Sequence, residues 1–261
     1  MNEIRIPLDP CNPGQFFACC GLLELIGTGS EGISAHFEAD WHQPRRAAFV
    51  LSNASAARID KILQELKNIK NYQIISRSEN GIARDEKASP LRVQVLNRTL
   101  QIDWWLDIFN ENTSTLANKL WPGRATTETI VASLLSKFPE TPSVKDLFTS
   151  GAAYLTGRFG IDPRSSWDAQ DLGYSPHAQS QPVLTFPIVE ILGAIGLQGF
   201  RPVQISPTRF SYRAWAVSLP LCVARVASAK LWNGLSGLAF SFAKEARSSR
   251  SSRIGFAVLE Q

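Results

Sequence analysis

The chain has 261 residues, with 27 Lys and Arg against 23 Asp and Glu for a net charge of +4, and 44% of its residues are hydrophobic. Length and composition fit one large domain or two small ones and exclude fibrous, collagen-like and wholly disordered classes. No run of about 18 apolar residues is present to cross a membrane, the opening MNEIRIPLDP lacks a signal-peptide pattern, and Cys11, Cys19, Cys20 and Cys222, without disulfide spacing, suit reduced thiols in the cytoplasm.

Ile4-Arg5-Ile6-Pro7-Leu8 alternates and predicts a short strand. The breakers at 9–14, Asp-Pro-Cys-Asn-Pro-Gly, predict a turn with Asn12 as N-cap and Pro13 as the first residue of a helix. That helix covers 15–26 and stops at Gly27-Thr28-Gly29. Strands follow at 33–38 and 47–51. A helix over 56–69 places Ile59, Ile62, Leu63, Leu66 and Ile69 on one face, and a strand follows at 72–76. The order β-α-β-β-α-β is the split pattern of ferredoxin-like domains, shared by RNA-binding modules and by unrelated enzymes. Residues 91–96 and 99–106 read as a hairpin, 78–89 as an exposed loop, and 126–138 as a helix capped by Thr126 or Thr127 with Glu128 near its start. Within the hairpin, the adjacent Trp104 and Trp105 point to opposite sides, one toward core and one toward a neighbour or solvent. Residues 159–181 read as a long functional loop or connector, and 187–197 as an apolar helix. Residues 210–218 and 221–227 read as a second hairpin broken at Pro220. The Ser-Ser-Arg-rich tail, 244–253, reads as mobile in isolation. The expected class is α+β: a ferredoxin-like body over 1–158, then a loop, an apolar helix, hairpins and a basic C-terminal part over 159–261.

The small net charge hides a division. Residues 201–261 hold nine basic side chains (Arg201, Arg209, Arg213, Arg225, Lys230, Lys244, Arg247, Arg250, Arg253) against Glu245 and Glu260, a net +7, which leaves −3 for residues 1–200. A basic quarter on a near-neutral body suggests a polyanion partner, most simply nucleic acid. Arg209, Arg213 and Trp215 share strand phase, so arginines could grip phosphate with an aromatic to stack on a base, unless Trp215 is core. Arg247, Arg250 and Arg253 recur every three residues and could order on a phosphate backbone. Zinc is set aside: Cys19 and Cys20 adjoin and read as buried thiols, and His36 and His42 lie six apart. No Walker, dinucleotide, HExxH or nucleophile-elbow motif occurs. His177 with Asp162, Asp168 and Asp171 could bind a cation or act on phosphate, but the same residues suit turns. No catalytic group, metal or cofactor is expected.

Two sets of segments resemble a known family. One is Asp9-Pro10-Cys11-Asn12-Pro13-Gly14-Gln15-Phe16-Phe17-Ala18-Cys19-Cys20-Gly21-Leu22-Leu23-Glu24-Leu25. The other is Asp162-Pro163-Arg164-Ser165-Ser166-Trp167-Asp168, Asp171-Leu172-Gly173-Tyr174-Ser175 and Val189-Glu190 through Gly196-Leu197-Gln198-Gly199-Phe200-Arg201-Pro202. Together they resemble short large-subunit-like proteins of the CRISPR surveillance complex Cascade, type I, subtype U or G. The resemblance implies a non-catalytic subunit at the guide RNA 5′ end that contacts target DNA near the protospacer-adjacent motif. Other Cascade subunits would be its neighbours, and a recruited helicase-nuclease would cut. It also leaves room for only a remnant of a small-subunit-like helical domain, over 232–246. In this setting Asn12 and Gly14 either cap the helix or offer amides to a phosphate, and Asp162–Asp171 could meet a neighbouring subunit. Gln198 and Arg201 are candidates to read bases. Arg209, Arg213, Arg225, Lys230, Arg247, Arg250 and Arg253 complete the expected nucleic-acid contacts. Two other classes stay open: a ferredoxin-like RNA-processing endoribonuclease using His36, His42 or His177, and a scaffold that binds only protein.

Overall fold

The computed structural model describes residues 2–29, 32–40, 42–69, 72–74, 91–95, 98–102, 126–165, 182–230, 234–248 and 251–260. Its elements are β1 (Glu3–Leu8), α1 (Pro13–Gly27), β2 (Ser34–Ala39), β3 (Ala47–Ser52), α2 (Ala56–Lys67), β4 (Tyr72–Ile74), β5 (Leu91–Val95), β6 (Arg98–Ile102), α3 (Thr127–Ser136), β7 (Ala153–Leu155), β8 (Val183–Thr185), α4 (Pro187–Gly199), β9 (Val203–Ser206), β10 (Arg209–Trp215), β11 (Leu219–Pro220), α5 (Leu221–Ser228), β12 (Gly237–Ser248), β13 (Ser251–Ile254) and β14 (Val258–Leu259). The chain is mixed α+β, and its described strands form antiparallel sheets.

Helix α1 begins as its sequence dictates. The Asn12 side chain accepts from the Gln15 amide, and Pro13 occupies the first turn, where its missing N–H costs nothing. From Pro13 to Ile26 every residue of α1 is buried. A helix apolar on all sides must be covered on all sides. One flank is the first sheet, ordered β1-β3-β2-β11, where Phe37 lies 5.0 Å from Phe16, ring centre to ring centre. A second flank is the sheet β13-β12-β10-β9, whose Tyr212 stacks on Phe16 at 4.3 Å. The third flank is α4. Cys19 and Cys20 lie in this core, fully buried, and burial pushes both thiols well above their ordinary range.

Helices α1 and α4 run in the same direction at very short range. A Cβ built on Gly21 would stand 1.9 Å from the Leu192 carbonyl oxygen, and one on Gly196 would stand 2.1 Å from that of Phe17. Only glycine permits this backbone-to-backbone approach. One continuous buried cluster, from Ile6 to Ala257, spans both sides of residue 158.

The β-α-β-β-α-β order occurs as expected, and β1, β3 and β2 lie side by side in antiparallel register. The full ferredoxin-like sheet is not formed among the described residues, because β4 pairs with β5 in a separate sheet instead of flanking β1. The expected hairpin of 210–218 with 221–227 is corrected. Residues Leu221–Ser228 are helical, started by Pro220 and burying Ala224, Ala227 and Ser228 at helical spacing, while β10 pairs with β12 from Arg209↔Ala243 to Trp215↔Gly237. The tail is corrected too. Residues Gly237–Ser248 are strand rather than a helical remnant, and they pair with β13, with Glu245 opposite Arg253. Trp104 and Trp105 and the loop 78–89 lie outside the described residues.

The helix contact yields a direct expectation. Gly21→Ala or Gly196→Ala should destabilise the chain by about 2 kcal/mol or more, through overpacking against backbone, although the same change in an unhindered helix gains up to about 1 kcal/mol. Denaturant unfolding with the slope held constant checks it.

Candidate nucleic-acid interface

The turn that starts α1 ties distant segments together. Asp9 receives the Cys11 amide at 3.0 Å and the Arg45 guanidinium at 2.7 Å. The Pro10 carbonyl accepts from the Tyr212 hydroxyl at 2.6 Å, and the Cys11 carbonyl from the Ala257 amide at 2.6 Å. Asn12 Nδ2 donates to Asp162 Oδ1 at 2.9 Å, and a Cβ on Gly14 would meet the Asp162 Cα at 2.7 Å. Asn12 and Gly14 are therefore buried, with the Asn12 side chain engaged within the protein. The described parts of the two motif sets, the 9–14 turn with α1, Asp162–Ser165 and α4, meet at this point.

Behind Asn12 lies a buried ionic cluster. Asp162 and Glu190 have no exposure, and Arg158 is 5% exposed. Arg164 clasps Asp162 through Nε and Nη2, donates from Nη1 to the Phe148 carbonyl at 2.6 Å, and lies 3.6 Å over the Phe186 ring. Glu190, on α4, accepts from the amides of Gly160 (2.7 Å) and Asp162 (3.1 Å). Burial pushes its carboxyl up to about 7. The two amides and Arg158 oppose that shift, and Asp162 adds to it. Burial likewise lowers Arg158, which the Glu190 charge partly offsets. Glu190 and Arg158 were not among the residues singled out from sequence as charged partners. The available signal was an acid between Val189 and Ile191, since a carboxylate in an apolar helix needs a partner.

The basic residues divide. On β10, Phe210, Tyr212 and Ala214 face the core, and the opposite face carries exposed Arg209 and half-buried Arg213 beside the fully buried Ser211 and Trp215. Across the ladder Ser211 stands opposite Ser241, and Arg209 Nη2 donates to Ser241 Oγ at 3.2 Å. Lys230 reaches this face through an ion pair with Glu260. It does so from a left-handed backbone, φ 58, which non-glycine residues seldom adopt and which clusters at functional positions. Burial works against the Glu260 charge, but Lys230, the Ser211 hydroxyl and Arg209 outweigh it and hold the carboxyl below its usual range. Arg253, opposite Glu245 and bonded to it at 2.5 Å, extends the same face. Arg209, Arg213, Lys230 and Arg253 thus converge on one sheet surface, against Glu245 and Glu260.

Other expected contacts lie elsewhere. Trp215 is not a stacking platform: it is fully buried, its indole N–H donates to the Ala35 carbonyl at 2.7 Å, and it stacks on Phe200. Arg225 makes a two-pronged ion pair with the buried Glu24, at 2.7 and 2.5 Å. Gln198 sits in the last turn of α4, donating to the Ala194 carbonyl at 3.0 Å, and half-buried Arg201 follows that helix. Arg247 is on β12, and Arg250, Asp168, Asp171 and His177 fall outside the described residues. His36 is half-buried on β2, its imidazole lowered by burial, and His42 is exposed. Among the described residues, no group of three or more His, Cys, Asp or Glu is placed to hold a metal ion, and no helix is long and apolar enough to cross a membrane. Comparison with protein-family models, curated proteins and solved structures returns no match.

The Glu190 geometry generates a pH-dependent expectation. Its folded carboxyl titrates near 7 instead of 4.5, so the folded state binds the extra proton between those values and the contribution to stability declines as pH rises through that window. Glu190→Gln sets an –NH2 against one of two backbone donors and should cost about 1–3 kcal/mol. Because the variant lacks the titration, its deficit should shrink from pH 5 to pH 7, as measured by denaturant unfolding across that range.

Proposed function

We propose that this chain is a non-catalytic subunit of a type I CRISPR surveillance complex, Cascade, acting in the cytoplasm. Its basic sheet face would contact the guide RNA 5′ end or the target DNA near the protospacer-adjacent motif. Its partners are the other Cascade subunits and a recruited helicase-nuclease. The observation that carries this reading is the outer face of β10 and β12. There Arg209, Arg213, Lys230 and Arg253 gather around the buried Ser211 and Ser241, four cations against Glu245 and Glu260, so the face keeps a net positive charge that favours a phosphate backbone. Lysine and arginine contacts of this kind position a strand and leave sequence reading to base pairing. The motif junction at Asn12, Asp162 and Glu190 is compatible with the family resemblance, because it gives those motif residues a shared architectural task. We read β1, α1, β2 and β3 as the split β-α-β half of a ferredoxin-like unit.

The test is a salt titration of RNA and DNA binding by the wild type and by Arg209→Ala/Arg213→Ala. Two lost phosphate contacts should weaken low-salt binding about tenfold or more and make the log–log salt slope shallower by about 2. A folded double variant with an unchanged slope would place the strand elsewhere.

A further inference from the structure

The parallel course of α1 and α4 leaves a cavity of about 220 Å³ at their C-terminal ends, closed on one side by β6. This is below the roughly 300–1,000 Å³ of sites that take drug-sized ligands, and it suits one planar ring system. The ring faces would meet Leu100 and Ile195, while Thr99 and Gln198 bring a hydroxyl and an amide to the wall. Its floor is polar and built. The Glu24 side chain is 9% exposed, and the Arg225 guanidinium, 42% exposed, locks against it through Nε and Nη2. Gly199 is shaped to this pair, since a Cβ there would stand 1.9 Å from Glu24 Oε1 and 2.9 Å from Arg225 Nε.

The charge of this cavity selects its occupant. Glu24 and Arg225 offset each other's charge across their two-pronged ion pair, so the cavity offers no net positive charge to a phosphate. A flat neutral group with hydrogen-bonding edges is favoured. On the side of the ion pair, the Glu24 Oε2 acceptor lies beside the Arg225 Nη2 donor. Every nucleobase offers an adjacent donor and acceptor on its Watson–Crick edge, and single-stranded nucleic acid is bound by such edges together with stacking.

We infer that this cavity holds one unstacked nucleobase of a bound single strand, without selecting among bases, while the basic sheet face holds phosphates. The inference rests on the nucleic-acid reading above and adds a second contact of opposite chemistry.

The test uses the full chain with fluorescein-labelled single-stranded RNA 12-mers carrying 4-thiouridine or 6-thioguanosine. Binding is followed by anisotropy, and photo-crosslinks are mapped by mass spectrometry. Both probes should crosslink to residues 98–102 and 194–199. Gln198→Trp, a change on a half-buried helix position that fills the cavity, should abolish those crosslinks and weaken binding about tenfold, in line with the loss of one seated base. Strand binding with crosslinks confined to β10 and β12, and a Gln198→Trp variant that binds as wild type, would overturn the base site and leave the nucleic-acid reading intact. Absence of binding by either RNA would overturn both.

Discussion

The backbone contact between α1 and α4 is the constraint on which the other parts of this structure depend. Helices normally pack about 8–10 Å apart because side chains intervene. Here Gly21 and Gly196 remove them, so the Leu192 and Phe17 carbonyls lie where a Cβ would otherwise be. That closeness aligns both helix starts and both helix ends. At the starts, Asn12 reaches Asp162 and Glu190 reaches the 160–162 backbone; at the ends, Glu24 meets Arg225 beside Gly199. The same helix packs on both larger sheets, with Phe16 touching Phe37 on one and Tyr212 on the other, while Trp215 of β10 bonds directly to Ala35 of β2.

Charge is used in two ways within one chain. Asp162, Glu190 and Arg158 are taken from water, and backbone amides and the half-buried Arg164 satisfy the two acids. Buried ions of this kind add little net stability, yet removing one partner leaves the other exposed to its full desolvation cost, which ties the segments into one arrangement. Arg209, Arg213, Lys230 and Arg253 lie on the sheet face instead, where Glu260 and Glu245 pair with Lys230 and Arg253. Arg225 belongs to neither set alone, because its guanidinium is tethered to a buried acid and still reaches the cleft. A count of basic residues in the last quarter therefore overstates the charge open to a polyanion.

Local signals were enough wherever the physics is local. The Asn12 cap and Pro13 start, the one-sided periodicity of Ile59, Ile62, Leu63 and Leu66, and the Thr126 cap are contacts between residues within a few positions of each other. Glu128 lies in the first turn of α3 as expected, and the reciprocal cap joins Thr126 to Thr129. Residues 221–228 misled because six of the first seven, all but Arg225, are hydrophobic in a short run that strand and helix patterns share. Pro220 as a helix starter and the burial of Ala224 and Ala227 decide it. The tail misled for a different reason. Its Ser and Arg residues carry no apolar periodicity, and only the partner strand supplies what holds Glu245 and Arg253 in register.

The sequence by itself determined the order of the early elements, the predominantly apolar nature of α1 and the +7 charge of the last quarter, since each is carried by neighbouring residues or by composition. Tertiary structure decided which strand pairs with β10, where β4 goes, that Asn12 and Trp215 face inward, and which basic residues share a surface. Those outcomes depend on contacts that no local window spans, from Ile74 with Leu91 and Arg209 with Ala243 to Asn12 with Asp162 and Glu24 with Arg225. A carboxylate or an amide states a need for a partner, but its one-dimensional setting does not say which partner the fold will bring.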